Sequence, residues 1–389
     1  MIKFNTYIDC RFSKELKLII FLSQESINNK HSSSLDDIDW EEFIRLVRKH
    51  RMISHVLKHL SYLADNFPIP VYEKLIEIRL HQSKRALNYV IHGIRVFRKF
   101  EENNISHCFF KGPLLSLDLY KDIGYRNFGD IDILVGQSDA ERAKDIIEEL
   151  DFDCIYPKIE FTEKQKKINY KLSHHYHFKH PKQTIDIELH WKLSNPKSYF
   201  GKETFELLES VRKLTVSKFE LPYISNIDNL VYQAAHGSIH QWYRLFWLKD
   251  FSVLLQKSTN EEIKEAVELS RKLKLQKCFV QACMMVKLIY KNQIPDLVDD
   301  KIQSSLIYTP LTSIATTDLG QKGIKGKIKF VLYRLKLKKD LNYYFELIYR
   351  LRTHLTDWEI LRLPNSLFFL YYLLRPFLLM YKFLFQKKN

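Results

Sequence analysis

The sequence predicts an α+β protein in which a small mixed β-sheet is flanked by N-terminal and C-terminal helical regions. Two stretches carry the sheet. Cys108 to Val135 reads as a short apolar strand, a Lys111-Gly112-Pro113 turn, a helix, a loop and a second strand that opens at Asp130. His174 to Trp191 alternates apolar and polar residues, the period-two signature of extended chain. On both sides of these stretches the apolar spacing becomes helical. At 389 residues the chain exceeds one typical domain, and the expected organisation is an N-terminal helical region at 1–95, a sheet-bearing catalytic domain at 96–200 and a C-terminal helical domain at 201–389.

The elements follow in order. Acids from Leu35 to Glu42 cap a helix carrying Phe43, Leu46 and Val47, and Val56, Leu57 and Leu60 continue into a second. Pro68 and Pro70 break the pattern before a long helix over roughly Val71 to Asn103, whose expected buried stripe is Leu87, Val90, Ile91, Ile94, Phe97 and Phe100. After the Asp130 strand, Ser138-Asp139-Ala140-Glu141 reads as a capping box for a helix burying Ala143, Ile146, Ile147 and Leu150. Glu160 to Tyr170 is charged and reads as a mobile segment. The histidine-rich stretch Ser173 to His180 reads as a strand, joined through Pro181-Lys182-Gln183 to the Glu188 strand as a hairpin. A zinc site there would need converging ligands, and no cysteine stands near.

The chemistry gathers on the same stretches. Asp130 and Asp132 are two positions apart, so an extended chain points both to one face while Ile131 and Ile133 point to the other. Two adjacent carboxylates repel, and hard oxygen ligands of this kind suit Mg²⁺ or Mn²⁺. Four of the ten glycines (Gly112, Gly124, Gly129, Gly136) fall in this span. Gly112 allows close backbone approach, Pro113 suits a first helical turn whose N–H groups favour an anion, and Lys111 adds a full charge. Taken alone, an Asp-x-Asp after glycine is most often a turn leading into a half-exposed strand. A third acid, Glu188, shares its face with Asp186 and His190, and tips the reading towards a site.

In this order, KG, the run from Arg126 to Val135 (RNFGDIDILV), IELHWKL and the His236–Phe251 segment resemble the bacterial uncharacterised nucleotidyltransferase family, which has the nucleotidyltransferase fold of the DNA polymerase beta-like superfamily. Leu363-Pro364 and Leu374-Arg375-Pro376 are also similar to that family's C-terminal end. The resemblance implies a small mixed-sheet catalytic domain and two-metal transfer of a nucleoside monophosphate from a nucleoside triphosphate, ATP as the first expectation, to a hydroxyl-bearing acceptor. It implies that Asp130, Asp132 and Glu188 hold Mg²⁺ or Mn²⁺, and that Lys111, Gly112 and Arg126 neutralise phosphates. His236 is a further candidate nucleotide contact, on a helix expected to close one side of the nucleotide site while Trp242, Leu245, Phe246, Trp247 and Leu248 anchor it in the core. The Gly112-Pro113 pair departs from the Gly-Gly or Gly-Ser usual in that superfamily and removes one backbone donor from the turn. A different class, a non-catalytic regulatory or antitoxin-like binder on the same fold, would be expected had any of the three acids been missing.

Other patterns bound the partners. A formal charge of +15 favours anions: nucleotides, nucleic acid or an acidic membrane surface. Lys322 to Lys339 holds eight basic residues and no acid, opened by Gly320, Gly323 and Gly326 as a link. Leu367 to Phe385 is the most apolar stretch, divided by Arg375-Pro376 into runs too short to span a bilayer, which allows peripheral contact. The five cysteines show no paired spacing and read as reduced thiols of a cytoplasmic protein, and Leu16 to Leu22 lacks the layout of a signal peptide. His236 and His240 have zincin spacing, but Gly237 stands where the glutamate base would be, so protease chemistry fails.

Overall fold

A computed structural model describes residues 2–24, 35, 37–60, 67–159, 161–295, 302–317 and 323–385. The chain divides into two units assembled from interleaved stretches. The first comprises residues 1–93, 110–129 and 212–338, and the second 94–109, 130–211 and 339–389.

Seven strands form: β1 (His107–Phe109), β2 (Ile131–Val135), β3 (Asp153–Tyr156), β4 (His175–Lys179), β5 (Asp186–His190), β6 (Arg212–Val216) and β7 (Phe219–Tyr223). The second unit holds β1 to β5 in the order β3-β4-β5-β2-β1. β2 pairs with β5 in parallel and the other neighbours are antiparallel, so the sheet is mixed and the protein is α+β as the pattern predicts. The hairpin of β4 and β5 forms where the alternation places it. Every residue of β2 is buried, since one face packs Ile131, Ile133 and Val135 into the core while Asp132 must enter the interior with them.

Several local expectations change. The long helix spans Ile69–Glu102, but Leu87 and Ile91 are exposed. Its buried side runs through Leu75, Gln82, Ala86, Tyr89, Val96 and Phe100. Polar members disguised that stripe: Gln82 donates to the Gly124 and Tyr125 carbonyls, and Tyr89 donates to the Gly129 carbonyl. The charged segment after residue 160 is not loose but a helix, Glu163–Leu172. Thr162 and Gln165 close a reciprocal capping box there, a signal in the sequence that charge concealed. The box expected at Ser138 does not form. A 3₁₀ turn occupies Gln137–Asp139, and Glu141 instead accepts hydrogen bonds from Tyr170 and Tyr176.

Gly320 and Lys322 lie outside the described residues, whereas Gly323 and Gly326 belong to a helix, Gly323–Leu337. The apolar C-terminal stretch forms one helix, Leu370–Phe385, with Pro376 inside it. Phe368, Tyr371 and Leu378 pack with Trp358, Leu355 and Leu172 in a core of the second unit. Among the described residues no helix is long and apolar enough to cross a membrane. In the first unit, Leu16, Leu18, Ile19 and Leu22 are buried on the Lys14–Leu22 helix.

Candidate active site

The parallel pairing of β2 with β5 builds the acidic centre. Register sets Asp132 directly opposite Glu188 and Leu134 opposite His190. Because side chains two apart share a face, His190 leans back toward the acids. Its Nε2 lies 3.3 Å from Asp132 Oδ1 and 3.1 Å from Glu188 Oε2. Asp132 and His190 are almost fully buried, and Glu188 keeps about a quarter of its side chain exposed (24%), which leaves the cluster one open side. Burial by itself would push the His190 imidazole down, but the bonds to Asp132 and Glu188 outweigh it and raise its pKa above the ordinary value.

A ring nitrogen held between two carboxylates marks a place where positive charge is favoured. The ligand atoms of Asp132, Glu188 and His190 lie within 4.8 Å of one another, so the donors fit one divalent cation. Two carboxylate oxygens with an imidazole nitrogen suit Mn²⁺ as well as Mg²⁺. Asp130 sits half-buried immediately before β2, whose first residue is Ile131 and not Asp130. It is not one of this close trio. His190 is the member that sequence reasoning passed over. It shares the face of Glu188, and the alternation alone does not distinguish a ligand there from a neighbour.

β4 lines the other side of β5, with His177 opposite Glu188 and His175 opposite His190. His177 approaches Asp186 at 3.3 Å. His174, His175 and His190 form a second trio with ligand atoms within 4.8 Å, a convergence that the alternation alone did not suggest. Burial, reinforced by the neighbouring imidazoles, holds His174 well below its usual pKa, so its nitrogens stay neutral.

Beyond the carboxyl ends of β2 and β5 lies a cavity of about 730 Å³, bordered by Ser138, Tyr170, Lys192, Glu346 and Arg350. Burial pushes the Lys192 ammonium down to about 8, and its Nζ donates to the Lys171 carbonyl.

The remaining candidates belong to the first unit. Lys111 caps the Gly112–Tyr120 helix, with Pro113 in its first turn and Gly112 at φ +60°, a left-handed conformation that favours glycine. The Lys111 ammonium lies over the Phe110 and Tyr232 rings. His236 stands on the Asn226–Ile239 helix with its ring against Tyr232, His240 and Trp247. Arg126 is buried, with Nε 2.5 Å from Asp250 Oδ2 and its guanidinium over Phe246. Tyr120 donates to the other Asp250 oxygen, so Arg126 already has a structural partner.

No curated protein matches the chain. A family model described as "Uncharacterised nucleotidyltransferase" matches residues 36–291, which include both strands of the acidic centre, the Lys111 turn and the His236 helix. Nucleotidyltransferases in general move a nucleoside monophosphate from a nucleoside triphosphate and usually employ divalent metals. With the match spanning well over half its length, the chain belongs to the uncharacterised nucleotidyltransferase family.

Proposed function

We propose that this protein transfers a nucleoside monophosphate from a nucleoside triphosphate, with ATP the first to test, to a hydroxyl-bearing acceptor. The observation that carries the reading is the pairing of Asp132 with Glu188 across parallel strands, joined by His190. These three, with Asp130 beside them in sequence, would hold the divalent ion. When bound, such an ion neutralises the triphosphate and stabilises the attacking and leaving oxygens of an in-line displacement.

The chain's own groups do the rest. Glu188, the most open of the trio, accepts the proton of the acceptor hydroxyl as that oxygen bonds to the α-phosphorus and pyrophosphate departs. Lys111, the Gly112 backbone and His236 supply phosphate and nucleotide contacts. Arg126, a phosphate contact in the same reading, is held by Asp250 through its Nε. The cavity bordered by Lys192 and Arg350 accommodates the acceptor.

The test incubates the protein with each labelled nucleoside triphosphate, Mg²⁺ or Mn²⁺, and cell extract. Asp132→Asn and Glu188→Gln are each expected to cut label transfer by roughly a hundredfold or more. Transfer undiminished in both variants would sink the assignment. Nucleotide binding without transfer would instead favour a regulatory protein on this fold.

A second reading concerns location. Phe369, Leu373, Phe377 and Met380 form an exposed stripe on or beside the Leu370–Phe385 helix, and Leu341, Phe345 and Ile348 are exposed on the Leu341–Tyr349 helix. Apolar stripes on a chain of charge +15 suit peripheral attachment to an anionic bilayer. Sedimentation with vesicles containing phosphatidylserine, reversed by high salt or carbonate, is expected. Absence of co-sedimentation would exclude the attachment.

A further inference from the structure

We infer that a cavity in the first unit, at the C-terminal end of the Gly112–Tyr120 helix, is a binding site for a small molecule bearing a di- or triphosphate. The cavity measures about 640 Å³, within the usual range for small-molecule sites. Its lining brings together Lys58, Lys121, Lys249 and Lys257 with His55 and His59, and holds no carboxylate among the described residues. Four ammonium groups around one bounded space repel one another, and a polyanion relieves that repulsion.

The nearest acid offsets only part of that charge, at Lys249, whose ammonium also lies over the Tyr290 ring. Asp250 follows Lys249 in sequence, but its two oxygens are occupied by the Tyr120 hydroxyl at 2.7 Å and Arg126 Nε at 2.5 Å. His55 points to a missing partner more directly. It is only 4% exposed, yet neither ring nitrogen has a hydrogen-bond partner among the described residues. Its ring stands edge-on to Tyr120 and Tyr125, themselves stacked with centroids 4.5 Å apart. A buried imidazole without partners is costly, and a ligand oxygen would satisfy it.

The helix terminus is also prepared for an anion. Exposed carbonyls at a C-terminal end repel negative charge, but Lys257 donates to the carbonyls of Asp118 and Leu119. The site is separate from the proposed phosphate turn. Lys111 and Gly112 begin this nine-residue helix while the cavity lies at its other end, about 13 Å away at 1.5 Å per residue. Its volume of about 640 Å³ suits a small polyphosphate better than the backbone of a nucleic acid.

Titration calorimetry of the full chain with inorganic tripolyphosphate, in EDTA to silence metal-dependent binding, tests this. Saturable binding at one site is expected, weakened by about tenfold or more in Lys58→Gln/Lys121→Gln, two exposed positions whose loss leaves the core intact. Asp132→Asn should bind like the parent, and so should Lys264→Gln/Lys272→Gln, which removes equal charge from exposed positions outside the cavity. Absence of saturable binding, equal weakening by both lysine pairs, or loss in Asp132→Asn would each overturn the proposal.

Discussion

A glycine and an aspartate show how single residues hold the first unit together. A Cβ at Gly237 would lie 2.2 Å from the Trp242 ring, and that ring is fully buried with Nε1 donating to Gln281. Gly237→Ala is therefore expected to lower stability by about 1–3 kcal/mol, measured by denaturant unfolding, because the indole cannot retreat. The glycine that excluded protease chemistry thus has a packing reason. Asp250 is buried with Arg126 and Tyr120 as its partners, so Asp250→Ala would strand a guanidinium in the interior. A loss of about 3–5 kcal/mol is expected from that change, read as a fall in melting temperature. Parent-like unfolding in either variant would refute these accounts. The sequence offered Arg126 as a phosphate ligand from its place beside Gly129-Asp130, and nothing local revealed Asp250, 124 positions away.

At the scale of elements, caps and hydrogen bonds decide what charge patterns obscure. Thr162→Ala should remove the capping box of the Glu163–Leu172 helix and cost about 1 kcal/mol, detectable by chemical denaturation. That helix carries Tyr170, whose hydroxyl reaches Glu141 at 2.7 Å, and Leu172 of the aromatic core. Burial would raise the Glu141 pKa, but hydrogen bonds from Tyr176 and Tyr170 with the Lys166 charge outweigh it, and the net direction is down from 4.5. A carboxylate with a depressed folded pKa contributes stability above its unfolded value and loses it as pH falls through the folded one. Glu141→Gln should therefore be less stable than the parent at pH 7, with the difference shrinking below about pH 4.5. A difference independent of pH would contradict this. Strands were legible because their period of two survives in Asp130-Ile131-Asp132-Ile133 and Asp186-Ile187-Glu188-Leu189. The Ile69–Glu102 helix was legible in extent but not in orientation, since Gln82 and Tyr89 are polar residues with buried partners.

Across the whole molecule, buried histidines set the response to acid. Burial pushes His50 down to about 3 and His240 to about 4, and holds His55 and His107 below their ordinary value. His50 Nδ1 accepts from the Leu245 amide, which requires the neutral ring. Below pH 6.5 the unfolded chain takes up protons that the folded chain refuses, so stability should fall from pH 6.5 towards 4, by roughly 1.4 kcal/mol per pH unit for each such proton. A melting temperature that stays level between pH 7.5 and 5 would contradict it. What the sequence by itself determined is the α+β class, the Asp-x-Asp and Glu188 strands, and the family, because these rest on short-range alternation and motif order. Only the tertiary structure decided that β2 and β5 run parallel with Asp132 level with Glu188, and that His190 joins them. The same holds for the four lysines drawn from three stretches of chain around one cavity. Register and long-range packing arise from contacts between distant segments, and no local pattern of residues encodes which distant segment will arrive.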